Sequence, residues 1–409
     1  MTIPPWGPHE LPDHTDVLVV GAGPTGLSLA AALAARDVDV VVVDGAPEGG
    51  TTSRAAVIHA RTLEVLEDID VTPELLRRGL VVSRFVVKDR DATLLTIPFD
   101  TLDTAYPFTL MLPQDETEQV LAERLTALGE PVYRERTVTD LDADRDGVTI
   151  HIASPRGPMT SVRARYVVGC DGMHSVIREQ CGIAFEGDRY PQSFALADVE
   201  MSWPLAREEI HLFFSPGGLV VVAPLPHDRY RIVATLDEAP EHPDVADVQA
   251  LLDQRGPIRP PAMVARVLWG SRFRVHHRLA ASYRCGRIFL AGDAAHVHSP
   301  AGGQGMNTGI QDAMALAPLL AGALTSGDSA ELDAYEAVRR PVAQHVIVTT
   351  DRLTRAANLR NPVLRHVRNA AFRTLDHVDR AKRNLALDLS ELATGIPTQV
   401  VPPRMERRV

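Results

Sequence analysis

The chain contains few cysteines. Only Cys170, Cys181 and Cys285 occur in its 409 residues, and no two of them are spaced as Cys-x-x-Cys. Such a sparse and odd count provides neither a disulfide framework nor a zinc-binding pattern, and it suits a reducing compartment. We therefore expect a cytoplasmic protein without a structural metal ion.

Basic residues are also in deficit. Lys and Arg number 42 against 53 Asp and Glu, which gives a formal net charge of −11. Binding to phosphates of nucleic acid requires clustered basic side chains, so this balance argues against a nucleic acid partner. A chain of this length with 45% hydrophobic residues can bury a large core, and it suggests two domains or one domain with a long insertion.

Long apolar segments are absent, with one exception. Residues 17–35 carry no charge and are nearly long enough to span a bilayer, but Gly21, Gly23 and Pro24 would interrupt a spanning helix. Residues 1–14 lack the apolar centre of a signal peptide, and we interpret them as a flexible extension. We expect no membrane partner.

The sequence does contain a βαβ pattern near its N-terminus. Residues 16–20 and 39–44 are typical of buried parallel strands, and residues 27–36 are typical of a helix. The first turn is a Gly-x-Gly-x-x-Gly motif, Gly21-Ala22-Gly23-Pro24-Thr25-Gly26. In this motif the first glycine permits the tight turn, the second lets the backbone approach a pyrophosphate, and the third lets the helix pack on the strand.

Asp44 ends the second strand, 18 positions after Gly26. There its carboxylate can accept both hydroxyl groups of an adenosine ribose. An acid at this position disfavours a 2′-phosphate, so the predicted nucleotide is the adenosine part of FAD or NAD. The alternative is a glycine-rich turn without a ligand.

A second glycine-rich loop lies far along the chain. The apolar run 287–291 predicts a buried strand, Gly292-Asp293 follows it, and residues 308–317 predict a helix. Exposed backbone amides at the start of a helix suit an anionic or electron-rich group. The alternative is a strand end followed by an ordinary helix cap.

Short strands and helices make up the rest of the pattern. Residues 80–110 and 185–275 contain short strands separated by turns, the last of the first set at residues 108–111, and we expect these segments to form a mostly antiparallel sheet that covers the nucleotide-binding part. Residues 166–172 predict a buried strand ending in Asp-Gly, which alone is equally compatible with an ordinary turn. Residues 329–391 are mainly helical, and Pro341 should begin or kink a helix.

Three elements in fixed order, Gly21-x-Gly23-x-x-Gly26, Cys170-Asp171-Gly172 and Gly292-Asp293, resemble the class A flavoprotein monooxygenases. These are the para-hydroxybenzoate hydroxylase-like aromatic hydroxylases. The amino-acid sequence of residues 292–312 is most similar to that of the phenol, polyketide and antibiotic hydroxylase branch. The resemblance covers about residues 15–390. Members of that branch often carry a thioredoxin-like domain after the helices, and we expect none in this chain.

The resemblance implies contacts with FAD. The glycine turn would meet the pyrophosphate, Asp293 a ribitol hydroxyl and Pro300 the reactive edge of the isoalloxazine, while residues 303–307 would present backbone amides to flavin N1 and the C2 oxygen. Arg54 and Pro300 are the candidate catalytic residues, although Arg54 is equally compatible with a solvated surface arginine. The implied FAD-binding residues are Gly21, Gly23, Pro24, Thr25, Gly26, Asp44, Arg54, Gln114, Asp171, Asp293, Pro300, Gly303, Gly305, Met306 and Asn307.

The predicted fold is α/β. It comprises a Rossmann-like FAD-binding domain with a parallel sheet, a mostly antiparallel substrate-binding sheet and a C-terminal helical region. The expected boundaries are the extension 1–14, the FAD-binding domain 15–80, 111–184 and 277–327, the substrate-binding sheet domain 81–110 and 185–276, the C-terminal helices 328–396, and a loose tail 397–409.

The implied function is FAD-dependent hydroxylation of an aromatic, phenolic or polyketide-like small molecule. NADH or NADPH would reduce the flavin, and O₂ would then form a flavin C4a-hydroperoxide. The alternatives are an FAD-dependent dehydrogenase or reductase without oxygen transfer, and a non-catalytic relative. The Trp-x-Trp-x-Ile-Pro signature of flavin halogenases is missing. The sequence leaves open whether the protein is a monomer or a homodimer.

The base that deprotonates the substrate is not identified by the sequence. The candidates, each more often structural than catalytic, are His59, His211, His227 and Tyr230. We expect an apolar substrate pocket with contributions from Phe194, Phe213, Phe214, Val220 and Val222. His296 and His298 have the spacing of a metal-binding pair, but no further ligands accompany them, and we interpret His296 as packed behind the flavin.

Overall fold

The computed structural model describes residues 10–50, 55–155 and 157–393. Two sheets dominate these residues, and helices cover both. The strands are β1 (His14–Val20), β2 (Val40–Val43), β3 (Val57–Ile58), β4 (Leu80–Val82), β5 (Arg84–Asp89), β6 (Ala92–Pro98), β7 (Thr109–Met111), β8 (Val132–Tyr133), β9 (Thr137–Ala143), β10 (Val148–Ser154), β11 (Gly157–Gly169), β12 (Phe185–Ser202), β13 (Glu209–Ser215), β14 (Gly218–Leu225), β15 (Arg229–Leu236), β16 (Met263–Ala280), β17 (Arg284–Cys285), β18 (Ile288–Leu290) and β19 (His296–Val297). The helices are α1 (Pro24–Ala34), α2 (Ala60–Leu66), α3 (Thr72–Arg78), α4 (Gln114–Ala127), α5 (Val176–Gln180), α6 (Val245–Arg255), α7 (Gly305–Ser326), α8 (Asp333–Ala357), α9 (Pro362–Asp376) and α10 (Asp379–Leu389).

The first sheet is the parallel sheet that the sequence predicts. Its strand order is β17-β18-β11-β1-β2-β8, and the pairs β18–β11, β11–β1, β1–β2 and β2–β8 are all parallel. All four residues of β2 are valines, and all are buried. A strand in which apolar and polar residues do not alternate is expected where helices cover both faces of a sheet. Helix α1 packs against both α4 and α7.

The second sheet has the order β19-β16-β12-β15-β14-β13-β5-β6. Its pairs are antiparallel except for β13 with β5. Helix α6 covers one face, which we call the outer face, through the cluster that contains Phe213 and Val220. The opposite or inner face carries Phe214 and Arg231, and Arg231 reaches the backbone of residue 55. The α/β architecture with parallel and antiparallel sheets and C-terminal helices is therefore confirmed.

Three local predictions are corrected by the structure. Thr109–Met111 does not join the antiparallel sheet but pairs with Val57–Ile58 and Leu80–Val82 in a separate three-stranded sheet. The strand expected at 166–172 is the end of a longer strand, Gly157–Gly169, which is antiparallel to β10 at its start and parallel to β1 at its end. Pro341 lies inside Asp333–Ala357, so it does not begin that helix, and the alternative expectation of a kink stays a prediction.

None of the helices within the described ranges has the length and apolar character needed to cross a membrane.

Candidate functional site

The three sequence motifs lie side by side in the parallel sheet. Gly21 follows β1, Asp171 follows β11 and Gly292 follows β18, and these three strands are consecutive neighbours. Backbone hydrogen bonds continue past the strand ends, from Cys170 N to Val20 O at 2.7 Å and from Ala291 N to Gly169 O at 3.0 Å. Ligands of open α/β sheets bind at the carboxyl ends of the strands. The fold thus gathers motifs that are more than 100 residues apart in sequence at one edge.

The three glycines of the first turn are required for different reasons. Gly21 has φ +102°, and a Cβ there would lie 2.4 Å from the carbonyl oxygen of Cys170. A Cβ on Gly26 would lie 1.9 Å from the carbonyl oxygen of Gly21. Close packing against the backbone therefore explains why positions 21 and 26 are glycines. A Cβ on Gly23 would meet nothing within 4 Å, so the chain itself does not require a glycine at this position.

Two helix N-termini converge beside this turn. Helix α1 begins at Pro24 after Gly23, which provides no side-chain cap. Thr25, in its first turn, packs against the other motif, because a Cβ on Gly292 or on Gly309 would lie 2.5 or 2.4 Å from its Oγ1. Residue 309 belongs to α7, whose N-cap residue Gln304 also makes no side-chain cap. Both helices consequently present uncapped N-terminal amides to this part of the molecule.

Asp44 lies at the end of β2 with its carboxylate directed at the glycine turn. Its oxygens accept hydrogen bonds from Ala22 N and Ala46 N, both at 2.7 Å, and Arg134 Nη1 lies 3.5 Å away. These contacts hold the carboxylate where the motif predicts a ribose. They also show that Asp44 stabilises its own turn.

Asp171 is largely engaged in its local turn. Its Oδ2 accepts from Ile177 N at 3.2 Å, and the following Gly172 has φ +77°. Burial raises the pKa of the Asp171 carboxyl, against the lowering effect of its hydrogen bonds to Ser175 and to backbone amides. The turn that the sequence offered as an alternative is therefore present, and a contact with FAD or a pyridine nucleotide stays a prediction.

The loop after β18 is anchored by an ion cluster that the sequence analysis missed. Asp312 accepts from Gly292 N at 3.1 Å, from His296 Nε2 at 2.7 Å and from Arg339 Nε at 2.6 Å. Arg339 also donates to the carbonyl oxygen of Thr308 at 3.1 Å. Burial alone would raise the pKa of Asp312, but the neighbouring Arg339 and His296 lower it overall. The cluster fixes the start of the loop to α7 and α8.

The same cluster accounts for the position of the buried His296 side chain. Its ring nitrogen Nε2 is bonded to Asp312, and the ring stacks on that of His298 with centroids 6.4 Å apart. Among the residues that the structure describes, no group of three or more His, Cys, Asp or Glu could hold a metal ion.

Asp293 is exposed between buried neighbours, Gly292 and Ala294, on a short 3₁₀ turn. Farther along, the loop turns sharply, with Gly303 N donating to Pro300 O at 3.0 Å and Gly303 at φ +69°. The turn leads directly into α7. The first intrahelical hydrogen bond there is Thr308 N to Gln304 O, so the amides of residues 305–307 have no partner within the helix.

Asn307 connects this loop to the segment that follows β2. Its Nδ2 donates to Val57 O and to Gly303 O, both at 2.8 Å, and its Oδ1 accepts from His59 N at 2.8 Å. His59 in turn contacts Gly302 O through Nε2 at 2.7 Å. Burial lowers the pKa of His59 to about 4, so the ring is neutral at physiological pH. The side-chain amide of Asn307 is thus fully engaged and His59 is uncharged, so both side chains serve to hold the loop in shape.

Arg54 lies outside the described residues, but the flanking segment is held tightly. Gln114, the first residue of α4, accepts from Ala55 N at 3.3 Å and donates to Glu118 at 2.8 Å. Arg231 of the inner sheet face donates to Ala55 O at 2.8 Å. A bidentate ion pair with Asp198, at 2.7 and 2.8 Å, fixes that guanidinium. Arg231 and Asp198 were not found from sequence, because only the paired strands bring them together.

Two of the four candidate bases lie on the outer face of the second sheet. The rings of His211 and Tyr230 contact that of Trp203 at tilted angles there, beneath α6. His227 is exposed in the turn between β14 and β15. Of the four, only His59 lies near the glycine-rich loop.

The predicted pocket residues are divided between the two faces. Phe213, Val220 and Val222 belong to the outer cluster, whereas Phe194 and Phe214 lie on the inner face. The sheet is buried on both faces, so neighbouring apolar residues in one strand alternate between them. The expectation that all five line one pocket is wrong for that reason.

Comparisons with known proteins agree with this geometry. A family model described as FAD binding domain matches residues 14–350. The chain is 41% identical over 360 residues to 6-methylpretetramide 4-monooxygenase of Streptomyces rimosus, covering 86% of this chain and 64% of that protein. It therefore spans somewhat less than two thirds of this relative's length.

Two solved structures share the fold. p-Nitrophenol 4-monooxygenase from Pseudomonas putida superposes with a TM-score of 0.85 at 27% identity, covering 93% of this chain and 99% of that one. OxyS anhydrotetracycline hydroxylase from Streptomyces rimosus superposes with a TM-score of 0.78 at 33% identity, covering 93% of this chain and 76% of that one. The chain belongs to the FAD binding domain family and, within it, to the class A flavoprotein monooxygenases that the sequence motifs indicated.

Proposed function

We propose that the protein is an FAD-dependent monooxygenase that uses NADH or NADPH and O₂ to hydroxylate a phenolic or polyketide-like aromatic ring. The observation that carries the proposal is the meeting of the three motifs and two uncapped helix N-termini at the carboxyl ends of β1, β11 and β18. The names of the relatives support the substrate class, since they act on 6-methylpretetramide, p-nitrophenol and anhydrotetracycline.

The residues at this edge of the parallel sheet are suited to binding FAD. The open space in front of Gly23, at the uncapped start of α1, suits a pyrophosphate, because backbone can approach there without a side chain in the way. Pro24, Thr25 and the neighbouring glycines shape that turn, and Asp44 would bind the ribose. Gln114 would contact the extended chain of the cofactor, and Arg54 would contact the flavin. Asp171 would lie near the junction with the pyridine nucleotide, which would dock transiently at the cleft surface.

The loop 300–307 would hold the flavin ring. Asp293 would bind the ribitol chain, and Pro300 would lie at the reactive edge. The backbone amides of Gly305, Met306 and Asn307, together with the positive end of the α7 dipole, would stabilise negative charge at flavin N1 and the C2 oxygen, and Gly303, whose N–H donates to Pro300 O, would shape the turn beside them. When bound, FAD supplies hydride uptake from NAD(P)H and the activation of O₂.

The chain's own contribution is to position the substrate and exclude water. The inner sheet face offers a stacked pair, Phe194 and Phe273, with centroids 5.3 Å apart, suited to a flat aromatic molecule. Helix α8 closes the same region through hydrogen bonds from Tyr190 to Asp351 at 2.7 Å and between Ser299 and Thr354. A substrate held there and shielded from water would favour oxygen transfer over loss of the activated oxygen to water.

The experiment is a cosubstrate oxidation assay. Purified FAD-loaded protein is mixed with NADH or NADPH, with and without a panel of phenols and polycyclic aromatic polyketides. A monooxygenase oxidises the nicotinamide faster with one of these compounds and yields a product heavier by one oxygen atom. Oxidation that gives a dehydrogenated or reduced product instead would favour the alternative, an FAD-dependent dehydrogenase or reductase.

A further inference from the structure

A cavity of about 250 Å³ lies at one end of the second sheet, and no residue of the three cofactor motifs lines it. The turn between β13 and β14, the end of β15, the last residue of α6 and the residues that follow α8 form its wall. At about 30 Å³ for each water molecule, the cavity has the volume of about eight waters. It therefore has room for a small organic molecule.

Arg255, the last residue of α6, lines this cavity and is 5% exposed. Both of its hydrogen bonds to described residues come from Nη1, which donates to Thr235 O at 2.7 Å and to Leu219 O at 3.3 Å. Its Nε is buried and has no hydrogen-bond partner within the described ranges. The edge of the guanidinium that carries Nε and Nη2 is thus without an acceptor from these residues.

Other buried arginines of the chain use the corresponding nitrogen. Arg231, Arg339 and Arg368 each donate Nε to a side-chain oxygen, and the acceptors are Asp198, Asp312 and Asn369. A buried charge costs free energy unless hydrogen bonds and an opposite charge compensate it. Arg255 is buried to a similar degree without such a partner among the described residues, so it resembles one half of a pair.

The acidic residues of the lining do not supply that partner. Asp237 is paired with Arg360, and both side chains are largely exposed. The Glu238 side chain is 84% exposed, and its carboxylate lies 4.0 Å from Arg272. Burial lowers the pKa of the Arg255 guanidinium, and Asp237 raises it to a lesser degree. Among the described lining residues, the buried charge of Arg255 is therefore the one that lacks a carboxylate in contact.

Gly217 keeps the space beside this edge open. A Cβ at position 217 would lie 2.9 Å from Arg255 Nε and 3.4 Å from Nη2. Its φ lies outside the left-handed region, so the backbone does not require a glycine there. The next residue differs, because Gly218 has φ +111° and a Cβ on it would lie 2.5 Å from Thr235 Oγ1. Position 218 needs glycine for folding, whereas the absence of a side chain at 217 leaves room at the guanidinium.

We propose that the cavity binds a small monocarboxylic acid whose carboxylate is held by Nε and Nη2 of Arg255. This edge of a guanidinium matches the two oxygens of a carboxylate, as it does where Arg231 holds Asp198 at 2.7 and 2.8 Å. A single negative charge compensates Arg255. A phosphate group, with about −1.5 to −2 charges near neutral pH, would bring surplus charge towards Asp237 and Glu238.

The wall of the cavity is already formed. Thr235 Oγ1 accepts from Leu219 N at 2.9 Å and donates to Asn358 Oδ1 at 2.7 Å. Asn358, the C-cap residue of α8, donates in turn to Thr354 O at 2.9 Å. A preorganised wall reduces the ordering that binding must supply. An acid bound here would contact the end of the helix whose Thr354 hydrogen-bonds to Ser299.

The test is isothermal titration calorimetry of the full chain with sodium acetate at constant ionic strength. Saturating FAD is present, so that the proposed cofactor site is filled. We expect acetate to bind at one site per chain. Acetamide, which has the same shape without the charge, should give no saturable heat, and inorganic phosphate should bind at least about tenfold more weakly than acetate. The inference does not depend on the proposed function, because no turnover is required.

Gly217→Ala is the decisive variant, because it retains Arg255 and places a methyl group against the free edge. We expect its affinity for acetate to fall at least about tenfold. Gly322→Ala, at an exposed and open position in α7, is the matched control and should bind acetate like the wild type. Circular dichroism verifies that both variants are folded.

Arg255→Lys retains the charge but loses the planar fork, and it should also bind acetate more weakly. Four results would overturn the proposal. They are the absence of saturable acetate binding by the wild type, acetamide binding as tight as that of acetate, phosphate binding tighter than that of acetate, and equal acetate affinities of Gly217→Ala and Gly322→Ala.

Discussion

Arg339 donates through Nε to Asp312 Oδ1 at 2.6 Å, and neither side chain is exposed to solvent. Breaking a buried ion pair from one side leaves the partner's charge without compensation, which typically costs about 3–5 kcal/mol. We therefore expect Asp312→Ala to lower the free energy of unfolding by about that amount. Urea unfolding monitored by circular dichroism measures it.

The control for this prediction is Glu200→Ala, which breaks the exposed pair of Glu200 with Arg266. Exposed pairs contribute roughly 0–1 kcal/mol, so this variant should unfold almost like the wild type. The double variant Asp312→Ala with Arg339→Met should recover part of the loss, because no charge then remains unpaired. Equal effects of Asp312→Ala and Glu200→Ala would contradict the role of the buried cluster.

Gly23→Ala should weaken FAD binding without harming the fold. Its φ of −78° suits alanine, and the added methyl group meets no atom of the chain within 4 Å. It would instead occupy the space proposed for the pyrophosphate, and we expect the dissociation constant for FAD to rise at least tenfold, or about 1.4 kcal/mol. Fluorescence titration of the apoprotein with FAD gives this number.

Substitutions of two other glycines serve as controls for that result. Gly322→Ala, at an exposed position in α7 that is equally open, should leave FAD affinity unchanged. Gly21→Ala should prevent folding, because its Cβ would lie 2.4 Å from a backbone oxygen at φ +102°. If Gly23→Ala binds FAD as tightly as Gly322→Ala does, then the pyrophosphate does not lie at this turn.

Arg231 should position the segment that leads to Arg54 rather than merely stabilise the sheet. The double variant Asp198→Leu with Arg231→Met removes both buried charges, so most of the stability should be kept. It also removes the donor to Ala55 O, and we expect FAD to bind several-fold more weakly. Thermal unfolding and FAD titration together separate the two effects. Unchanged FAD affinity in a stable double variant would show that Arg231 has only a structural role.

Glu391 should make stability depend on pH. It accepts from Thr308 Oγ1 at 2.9 Å and from Gln311, and burial raises its pKa from 4.5 to about 7, with Arg339 lowering it and Asp312 raising it to a lesser degree. Because the folded state holds the proton more tightly than the unfolded state, the stabilisation is complete below about pH 4.5 and is lost as the pH rises through 7. The rise in pKa from 4.5 to about 7 corresponds to about 3 kcal/mol of folding stability.

The measurement compares wild type and Glu391→Gln by urea unfolding between about pH 5 and about pH 8, a window that covers the loss of the proton in the folded state. Other titrating groups cancel in the difference between the two proteins. The stability of the wild type relative to the variant should fall as the pH rises. A difference that is flat with pH would show that Glu391 does not titrate in this range.

The sequence predicted the sites that depend on short spacing and missed those that depend on distant contacts. The glycine turn and Asp44 lie in one βαβ unit, so their arrangement follows from local pattern. Asp312 and Arg339 lie on different helices, and nothing in their neighbours along the chain indicates that they meet. Similarly, the choice between Phe213 and Phe214 as an inner-face residue depends on strand register, which apolar runs buried on both faces do not determine.

Under the proposed function, one atom of O₂ is transferred to an aromatic substrate at the loop 300–307. The most direct measurement is turnover of FAD-loaded protein with NAD(P)H and a phenolic compound under isotopically labelled O₂ in ordinary water, followed by mass spectrometry of the product. We expect a hydroxylated product that carries one labelled oxygen. A product whose added oxygen comes from water, or substrate-stimulated oxidation of NAD(P)H that leaves every aromatic compound unoxygenated, would contradict it.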